Sequence, residues 1–464
     1  MLGHTVGSQA LSAQAEFRVI CAKRKVPMSS QETFFYPGQE KVREKAVLVG
    51  TVLSGQEREE EEDNLRELSM LARTAGAKVL GSVMQSRQSP DVSTFIGRGK
   101  LEEVKQLCHD REANLILFDH DLSPVQARNI EKQTGINVAD RTELILDIFA
   151  LRARSKQARL QVELAQLEYL RPRLRRMWEH LSRQAGGIGS RGPGETQIEV
   201  DRRRLGEKVT HLRRELEHLA KISETKAKKR RQEAYTVALV GYTNVGKSTL
   251  MQALTGKEVF VEDSLFATLD ATTRRITLGD SEELLITDTV GFIRKLPHHL
   301  VESFKATLSE VREADLLLHV ADLSSPAMER QVAAVDEVLG EMDVDPASAL
   351  RIFNKTDEAE EGRANWAQRH WPGSLALSAK AGEGLEELRG ELLSRRRKSF
   401  RETFLRVPMG MERLSAVIYR DCEVLDVSYD ELGAIYHLRL PELVLGKLLA
   451  EGVQHCPEGQ AEAE

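Results

Sequence analysis

Between residues 45 and 150, short apolar runs alternate with stretches whose apolar positions recur at helical spacing. The predicted strands are residues 46–53, 78–84, 113–118 and 136–138. The predicted helices are residues 64–75, residues 101–110, and a helix capped by Ser123 that runs to residue 133. Strands and helices that alternate along a chain are typical of a parallel sheet covered by helices. The pattern therefore predicts a small parallel α/β domain over residues 45–150.

Three further segments in or before this domain carry weaker patterns. We interpret the acidic run 57–63 as the solvated start of the first helix, favoured by the helix dipole, rather than as a metal site. Residues 1–44 are expected to be a poorly structured extension. Residues 95–100, Phe-Ile-Gly-Arg-Gly-Lys, fit either a tight turn or a loop that cradles an anion.

Residues 151–232 carry two apolar stripes at helical spacing. These are Leu160, Leu164, Leu167 and Leu174, followed by Leu205, Val209, Leu212, Leu216 and Leu219. Two helices packed antiparallel would bury both stripes against each other. Residues 186–195, Gly-Gly-Ile-Gly-Ser-Arg-Gly-Pro-Gly-Glu, are too rich in glycine for a helix and are predicted to form the loop at the hairpin tip.

The remaining chain divides into two further predicted domains. Residues 233–397 contain a buried strand at 235–240 and later apolar runs that each precede a polar motif, which is typical of an open α/β sheet. Residues 398–464 show period-two alternation at 424–429 and 434–440, which predicts a small α+β domain with an acidic, disordered tail. The predicted fold class is thus multidomain α/β with a helical hairpin.

Composition narrows the class of protein. The 464 residues are 41% hydrophobic and 30% charged, which suits a chain with a sizeable core. The four cysteines form no CxxC pair, so neither a disulfide framework nor a zinc site is expected, and a reducing compartment fits best. Because no apolar run approaches the length of a membrane span, we expect a cytoplasmic protein without a membrane helix.

Charge is distributed unevenly. Residues 151–232 hold 22 Lys and Arg against 10 Asp and Glu, a net charge of +12, whereas the whole chain has −6. A glycine tip flanked by arginines favours RNA binding through phosphate contacts and base stacking. The alternative is a flexible linker with a solvated basic face. The candidate RNA-binding residues are Arg183, Gly189, Arg191, Gly192, Arg202 and Arg203.

A phosphate-binding loop follows the strand at 235–240. Residues 241–248 fit the pattern GxxxxGK(S/T), in which main-chain N–H groups surround phosphates, the Lys reaches the β and γ oxygens, and the Ser hydroxyl binds magnesium. The helix that follows directs its N-terminus at the anion. The candidate residues are Gly241, Tyr242, Thr243, Asn244, Val245, Gly246, Lys247, Ser248 and Thr249.

Three downstream motifs decide among the nucleotides: the first holds magnesium, and the other two select guanine. Asp288 opens Asp-Thr-Val-Gly after an apolar run, where it can hold the magnesium ion. Asn354, Lys355 and Asp357 resemble the NKxD motif of GTPases, whose Asp accepts from two guanine donors that adenine lacks. Ser378, Ala379 and Lys380 resemble the motif whose main-chain amide contacts the guanine oxygen. Together these motifs predict GTP as substrate and Mg²⁺ as cofactor.

One threonine should contact magnesium and the γ-phosphate in the GTP state. Thr268 is our candidate and Thr272 the alternative. With Ser248 and Asp288, Thr268 completes the predicted metal ligands. The candidate catalytic residues are Lys247, Thr268 and Gly291.

The residue after Gly291 is Phe292, where many GTPases have a glutamine that orients the attacking water. Because a phenyl ring cannot hydrogen-bond water in this way, we expect slow hydrolysis unless a partner, a main-chain contact or a cation substitutes. Asn244 resembles the asparagine of GTPases that bind K⁺ beside the phosphates. The alternative is that Asn244 only shapes the loop.

Over roughly residues 45–400 the chain resembles HflX, the ribosome-associated GTPase family of the TRAFAC class. The resemblance rests on GGIGSRGPGETQIEVDRRR at 186–204, LSPVQARN at 122–129, DRTELI at 140–145, and the GYTNVGKS and DTVGF motifs. It implies binding to the large ribosomal subunit and its rRNA, ribosome-stimulated hydrolysis, and splitting of stalled or idle ribosomes by a monomeric protein. It also implies that the C-terminal domain touches ribosomal protein near the stalk base.

Two other functions fit the residues. One is a ribosome assembly GTPase that acts on immature subunits. The other is a protein-binding GTPase switch whose hairpin is a docking arm without RNA.

Overall fold

The computed structural model describes residues 44–184, 193–256, 265–278, 282–295 and 309–456. These residues form two compact units. The first extends to Leu216 and also contains residues 265–269, and the second contains the other described residues. The predicted extension and the acidic tail lie almost entirely outside the described residues.

The first unit is built on a four-stranded parallel sheet in the order β2-β1-β3-β4. Its strands are β1 (Lys45–Val52), β2 (Lys78–Ser86), β3 (Leu115–Phe118) and β4 (Asn137–Asp140). Its helices are α1 (Arg58–Thr74), α2 (Arg98–Arg111), α3 (Pro124–Thr134) and α4 (Arg141–Arg152). The strand order reverses between β1 and β3, which makes their carboxyl ends a topological switch point. The predicted parallel α/β architecture is confirmed.

The N-termini of two helices that pack on this sheet can be compared with the sequence predictions. Ser123 caps α3 in a complete capping box with Gln126, as predicted. Helix α1 begins within the acidic run, but Glu61 is only 2% exposed. The prediction that the run is solvated is therefore wrong at this position. Glu61 shares the inner face of α1 with Leu65 and Leu68, which lie one and two turns further on.

Two long helices form the hairpin. They are α5 (Lys156–Gln184) and α6 (Pro193–Glu233), and Leu164 and Leu167 of α5 pack with Leu205, Val209 and Leu212 of α6. Ion pairs from Lys156 to Glu215 and from Glu163 to Lys208 run in antiparallel order. The two stripes therefore face each other as predicted.

The hairpin tip differs from the prediction at its end. Helix α6 begins at Pro193, so residues 193–195 are helical rather than part of the loop. Proline suits a first helical position because its missing N–H would have no partner within the helix there. Residues 185–192 lie outside the described part.

The second unit holds a six-stranded sheet in the order β10-β9-β8-β5-β7-β6, in which β6 alone is antiparallel to its neighbour. Its strands are β5 (Tyr235–Gly241), β6 (Thr272–Leu278), β7 (Glu282–Asp288), β8 (Leu316–Asp322), β9 (Leu350–Asn354) and β10 (Leu375–Ala376). The helices are α7 (Lys247–Thr255), α8 (Ser309–Glu313), α9 (Met328–Glu341), α10 (Arg363–His370) and α11 (Leu385–Lys398), with a 3₁₀ turn at Pro346–Ser348.

A second, antiparallel sheet follows in the order β12-β13-β11-β14. It consists of β11 (Arg401–Pro408), β12 (Glu423–Asp430), β13 (Gly433–Leu440) and β14 (Gln454–Cys456), with α12 (Glu412–Asp421) and α13 (Glu442–Ala450). This agrees with the predicted α+β region. Among the described helices, none is both long enough and apolar enough to cross a membrane.

Candidate nucleotide-binding site

The loop between β5 and α7 is shaped by glycines that admit no side chain. Gly241 has φ +151°, and a Cβ there would lie 2.2 Å from the main-chain oxygen of Val320. Gly246 has φ +91°, and a Cβ there would lie 2.3 Å from Nδ2 of Asn354. Glycine at both positions therefore lets the loop approach β8 and β9 closely, as a phosphate-binding loop requires.

Lys247 opens α7 and is buried, with 6% exposure. Its Nζ donates to the main-chain oxygens of Gly241 at 3.0 Å and Tyr242 at 2.7 Å. Burial lowers the pKa of this ammonium group to about 8, and the nearby Asp288 carboxylate offsets part of that effect. An arriving phosphate anion would favour the charged form and raise the pKa again.

Two of the predicted magnesium ligands are in direct contact. Ser248 Oγ donates to Asp288 Oδ2 at 2.6 Å, so a hydroxyl and a carboxylate converge at the ends of α7 and β7. Such hard oxygen donors suit Mg²⁺. In the same phosphate loop, Thr243 Oγ1 is buried and meets no hydrogen-bond partner among the described residues. These residues fit a magnesium ion bound with phosphates.

Asn354 joins the phosphate loop to the motif at 378–380. Its Nδ2 donates to the main-chain oxygen of Val245 at 2.9 Å, and its Oδ1 accepts from the N–H of Ala379 at 2.9 Å. The Ala379 amide, which belongs to the motif predicted to contact the guanine oxygen, is thus engaged in this structure. Asn354 itself is only 2% exposed, so its amide acts as an internal brace.

The other residues of these motifs also lie together. Asp357 Oδ1 accepts from Ser378 Oγ at 2.6 Å, which fixes the carboxylate predicted to read guanine. Lys355 adopts a left-handed φ of 64°, and its Nζ donates to Asp322 Oδ2 at 2.6 Å. Lys380 is exposed and lies 3.4 Å from Glu358.

Asp322 is a residue that sequence reasoning missed. It ends β8, next to Asn354 at the end of β9, at the carboxyl edge of the parallel sheet. Its signal was a run of residues, 316–321, that is apolar except for His319 and ends at an aspartate, as the run before Asp288 also does. The sequence does not show that β8 and β9 are neighbours, and this adjacency is what brings Asp322 to Lys355.

The segment after Asp288 is fastened to the phosphate loop through its main chain. Phe292 N–H donates to Gly241 O at 3.1 Å, and Phe292 O accepts from Thr243 N–H at 2.8 Å. A Cβ on Gly291 would lie 2.9 Å from Thr243 Cγ2 and 3.0 Å from Lys247 Nζ. The Phe292 ring is 3% exposed and faces the interior.

Thr268 lies in the first unit, whereas the phosphate loop lies in the second. Its neighbour Phe266 has a left-handed φ of 56° and packs edge-on against Phe149 of α4, with ring centroids 4.7 Å apart. Thr272 begins β6, and its hydroxyl donates to Asp270 O at 3.4 Å. The predicted role of Thr268 at the metal stays a prediction.

The other candidate residues fall into two groups. Asn244 has φ 62°, a left-handed conformation that asparagine tolerates, which gives it a loop-shaping role whatever it binds. Arg202 and Arg203 are exposed on α6. Arg183 lies on α5, and Gly189, Arg191 and Gly192 lie outside the described residues.

The glycine-rich segment at 95–100 forms a turn into α2. The Asp91 carboxylate accepts from the N–H groups of Ser93 and Thr94, and Phe95 has φ 64°. A Cβ on Gly97 would lie 2.6 Å from Arg87 Nη1. These contacts favour the tight-turn interpretation.

A glycine loop after the buried strand β5, an aspartate at the end of the neighbouring strand β7, and an NKxD motif whose Asn354 donates to the glycine loop define a P-loop GTPase. Three family models match the chain: GTP-binding GTPase N-terminal over residues 62–150, GTP-binding GTPase Middle Region over 152–230, and 50S ribosome-binding GTPase over 236–355. A GTPase HflX from Caldanaerobacter subterraneus subsp. tengcongensis is 43% identical over 396 residues, which cover 84% of this chain and 90% of that protein. The GTPase HflX of Escherichia coli K12 is 43% identical over 380 residues, covering 81% and 88%. The chain belongs to the HflX GTPase family, as its sequence motifs predicted.

A solved structure was also matched. A GTP-binding protein from Sulfolobus solfataricus in complex with GDP aligns with 76% of this chain and 98% of its own, at 25% identity and a TM-score of 0.42. That similarity is too low to bear on the assignment.

Proposed function

We propose that this GTPase acts on the ribosome, where it binds the large subunit and separates stalled or idle ribosomes into subunits. The observation that carries the proposal is the match of residues 236–355 to a family described as 50S ribosome-binding GTPase. The charge of the hairpin supports it, since 22 basic residues against 10 acidic ones suit an RNA surface.

In this proposal the loop 241–248 binds the phosphates of GTP through its main-chain N–H groups, and Lys247 pairs with the β and γ oxygens. Ser248 and Asp288 hold Mg²⁺, which when bound neutralises charge on the phosphate oxygens. Their mutual 2.6 Å hydrogen bond supports this pairing. Asp357, held by Ser378, accepts from the guanine donors.

Thr268 adds its hydroxyl to the magnesium ion only in the GTP state. The test compares Thr268→Ala with Thr272→Ala. Thr268→Ala should remove the preference for a non-hydrolysable GTP analogue over GDP, and Thr272→Ala should keep it. If Thr272→Ala removes the preference and Thr268→Ala keeps it, Thr272 is the residue that binds the magnesium ion.

The nucleotide controls the ribosome-bound state through the contacts of its γ-phosphate, because a ligand shifts a conformational equilibrium only by its differential affinity. Gly291 and Phe292 lie against Thr243 and Lys247, which supports a response of this segment to the terminal phosphate. GTP favours binding to the ribosome, and hydrolysis favours release.

The experiment is a splitting assay on intact ribosomes, with subunits separated by sedimentation, in GTP and in GDP. The unmodified protein should release subunits in GTP. Arg202→Ala with Arg203→Ala should weaken ribosome binding and lower its salt dependence. The matched control pairs Arg73→Ala with Arg369→Ala, two exposed arginines outside the hairpin, and should change neither property.

The outcomes separate the functions. Binding to large subunits without splitting would favour an assembly role. If the protein neither binds nor splits ribosomes, the result would favour the hairpin as a protein-docking arm. If the Arg202 and Arg203 changes leave ribosome binding and its salt dependence unaltered, these two residues do not contact RNA.

A further inference from the structure

Polar contacts around Arg173 of α5 join the hairpin to the α/β domain of the first unit. Arg173 Nη2 donates to Asp140 Oδ2 at 2.6 Å and to the main-chain oxygen of Leu122 at 3.1 Å. Asp140 is the last residue of β4, and Leu122 lies in the loop between β3 and α3. One guanidinium group therefore links the hairpin to two segments at the carboxyl edge of the parallel sheet.

The Asp140 carboxylate is the centre of these contacts and is only 1% exposed. Its Oδ2 accepts from the N–H of Leu122 at 3.1 Å as well as from Arg173. Its Oδ1 accepts from the N–H of Glu143 at 3.0 Å and from the Tyr169 hydroxyl at 2.9 Å. A buried carboxylate is costly unless a cation and hydrogen-bond donors compensate its charge. Residues of the hairpin thus supply the cation and one of the donors that Asp140 requires.

Tyr169 lies one turn before Arg173 on the same face of α5. The guanidinium carbon of Arg173 lies 3.5 Å from the centre of the Tyr169 ring, a cation–π contact. The Tyr169 hydroxyl also lies 3.2 Å from Glu143 Oε2. Burial, with the nearby charges of Asp140 and Asp147, raises the pKa of Glu143 to about 8. At neutral pH this carboxyl is therefore protonated and adds no second negative charge beside Asp140.

Helix α5 has a proline, Pro172, immediately before Arg173. Because proline has no N–H, residue 172 cannot donate to the main-chain oxygen of Glu168 as it would in a regular helix, and the helix is weaker at this turn. Arg173 Nη1 donates to the main-chain oxygen of Tyr169 at 3.4 Å, within the same turn. The weakest turn of α5 is therefore the one that the contacts with the α/β domain hold.

We propose that Arg173 and Tyr169 form a latch at the Pro172 turn, which sets the direction in which the rest of the hairpin leaves the α/β domain. Helix α5 continues from the latch to Gln184, so a small change of angle at Pro172 displaces the far end of the hairpin much further. Arg173 is a positioning residue, because its guanidinium group is engaged within the protein. The consequence for the ribosome rests on the proposed function: a hairpin of fixed direction loses less freedom when it binds RNA. The latch also gives a role to the motifs at 122–129 and 140–145, which the nucleotide site does not use.

The latch is tested in the full chain without ribosomes, by hydrogen–deuterium exchange of main-chain amides. Arg173→Ala should speed exchange in peptides covering residues 169–184 about tenfold or more and leave peptides from β1 and β5 unchanged. If circular dichroism shows that this variant does not fold, Arg173→Lys decides instead, because it keeps the charge but loses the planar group that reaches both acceptors. Arg171→Ala, at an exposed position on the same helix, is the matched control and should not change the exchange. Unchanged exchange in the folded Arg173 variant would overturn the latch.

The salt dependence of ribosome binding separates positioning from RNA contact. The same Arg173 variant should raise the Kd for large subunits about fivefold or more and keep the salt slope of the unmodified protein, because no phosphate contact is lost. Arg202→Ala with Arg203→Ala should lower the slope instead. A lower slope in the Arg173 variant would make Arg173 an RNA contact and overturn its positioning role, and so would an unchanged Kd. If the unmodified protein does not bind large subunits, the proposed function fails, while the exchange rates still decide whether the latch exists.

Discussion

The main-chain oxygen of Phe292 accepts a hydrogen bond from the N–H of Thr243 at 2.8 Å, which fastens the segment after Gly291 to the phosphate loop. The contact is made by the backbone, while the phenyl ring is buried. The position that supplies a water-orienting glutamine in many GTPases thus holds a core side chain here.

It follows that Phe292→Gln should not restore fast hydrolysis. The new amide would occupy the space of a buried ring rather than the site of the attacking water. We expect the hydrolysis rate of isolated Phe292→Gln to stay within about threefold of the unmodified rate, and the same holds for Phe292→Ala. In other GTPases a water-orienting group raises the rate by much more than this. Single-turnover hydrolysis without ribosomes measures this, and a rise of about tenfold or more in Phe292→Gln alone would contradict it.

Lys247 should make GTP binding depend on pH. Its pKa in the free protein is lowered to about 8 by burial, and phosphates raise it. Below that pH the lysine is charged before and after binding. Above it, binding must take up a proton, so affinity falls as pH rises. The Kd for GTP, titrated between about pH 7 and 9, should increase above about pH 8.

Lys247→Arg is the control for this titration, because an arginine stays protonated throughout the range. The Kd of Lys247→Arg for GTP, even if it is higher overall, should not increase above about pH 8 as that of the unmodified protein does. A flat profile in the unmodified protein would show that Lys247 remains charged in the free state. A profile of the same slope in Lys247→Arg would assign the dependence to another group.

Asn354 should matter for stability as well as for nucleotide binding. Asn354→Ala removes the partners of Val245 O and Ala379 N–H, both in the interior, so we expect a loss of about 2–4 kcal/mol in the free energy of unfolding of the second unit. Urea denaturation without nucleotide measures it. Asn365→Ala, an exposed position on α10, should lose less than about 0.5 kcal/mol. Equal effects of the two changes would refute the bracing role.

The side chain of Asn244 is predicted to bind K⁺ beside the phosphates. Hydrolysis should then be faster in potassium than in sodium salts at equal ionic strength. Asn244→Gly keeps the left-handed backbone at φ 62° and removes the amide, so it should abolish the difference without disturbing the loop. Equal rates in the two salts for the unmodified protein would leave Asn244 with its loop-shaping role alone.

The sequence was sufficient for the phosphate loop because a glycine motif carries its own backbone requirement, as at Gly241 and Gly246. It was also sufficient for the alternating strands and helices of the first unit. It was insufficient where a residue acts through a neighbour distant along the chain. The pairing of Lys355 with Asp322 depends on β8 lying beside β9, and the burial of Glu61 depends on which face of α1 meets the sheet. Likewise, the packing of Phe266 on Phe149 joins segments more than 100 residues apart.

The most direct test of the proposed function is the rate of GTP hydrolysis by the unmodified protein with and without purified large ribosomal subunits. Small subunits and Lys247→Ala serve as controls. The proposal predicts slow hydrolysis alone and a rate that rises and saturates with large subunits, with no rise for small subunits or for Lys247→Ala. A rate unchanged by saturating large subunits, with no co-sedimentation in a GTP analogue, would contradict it.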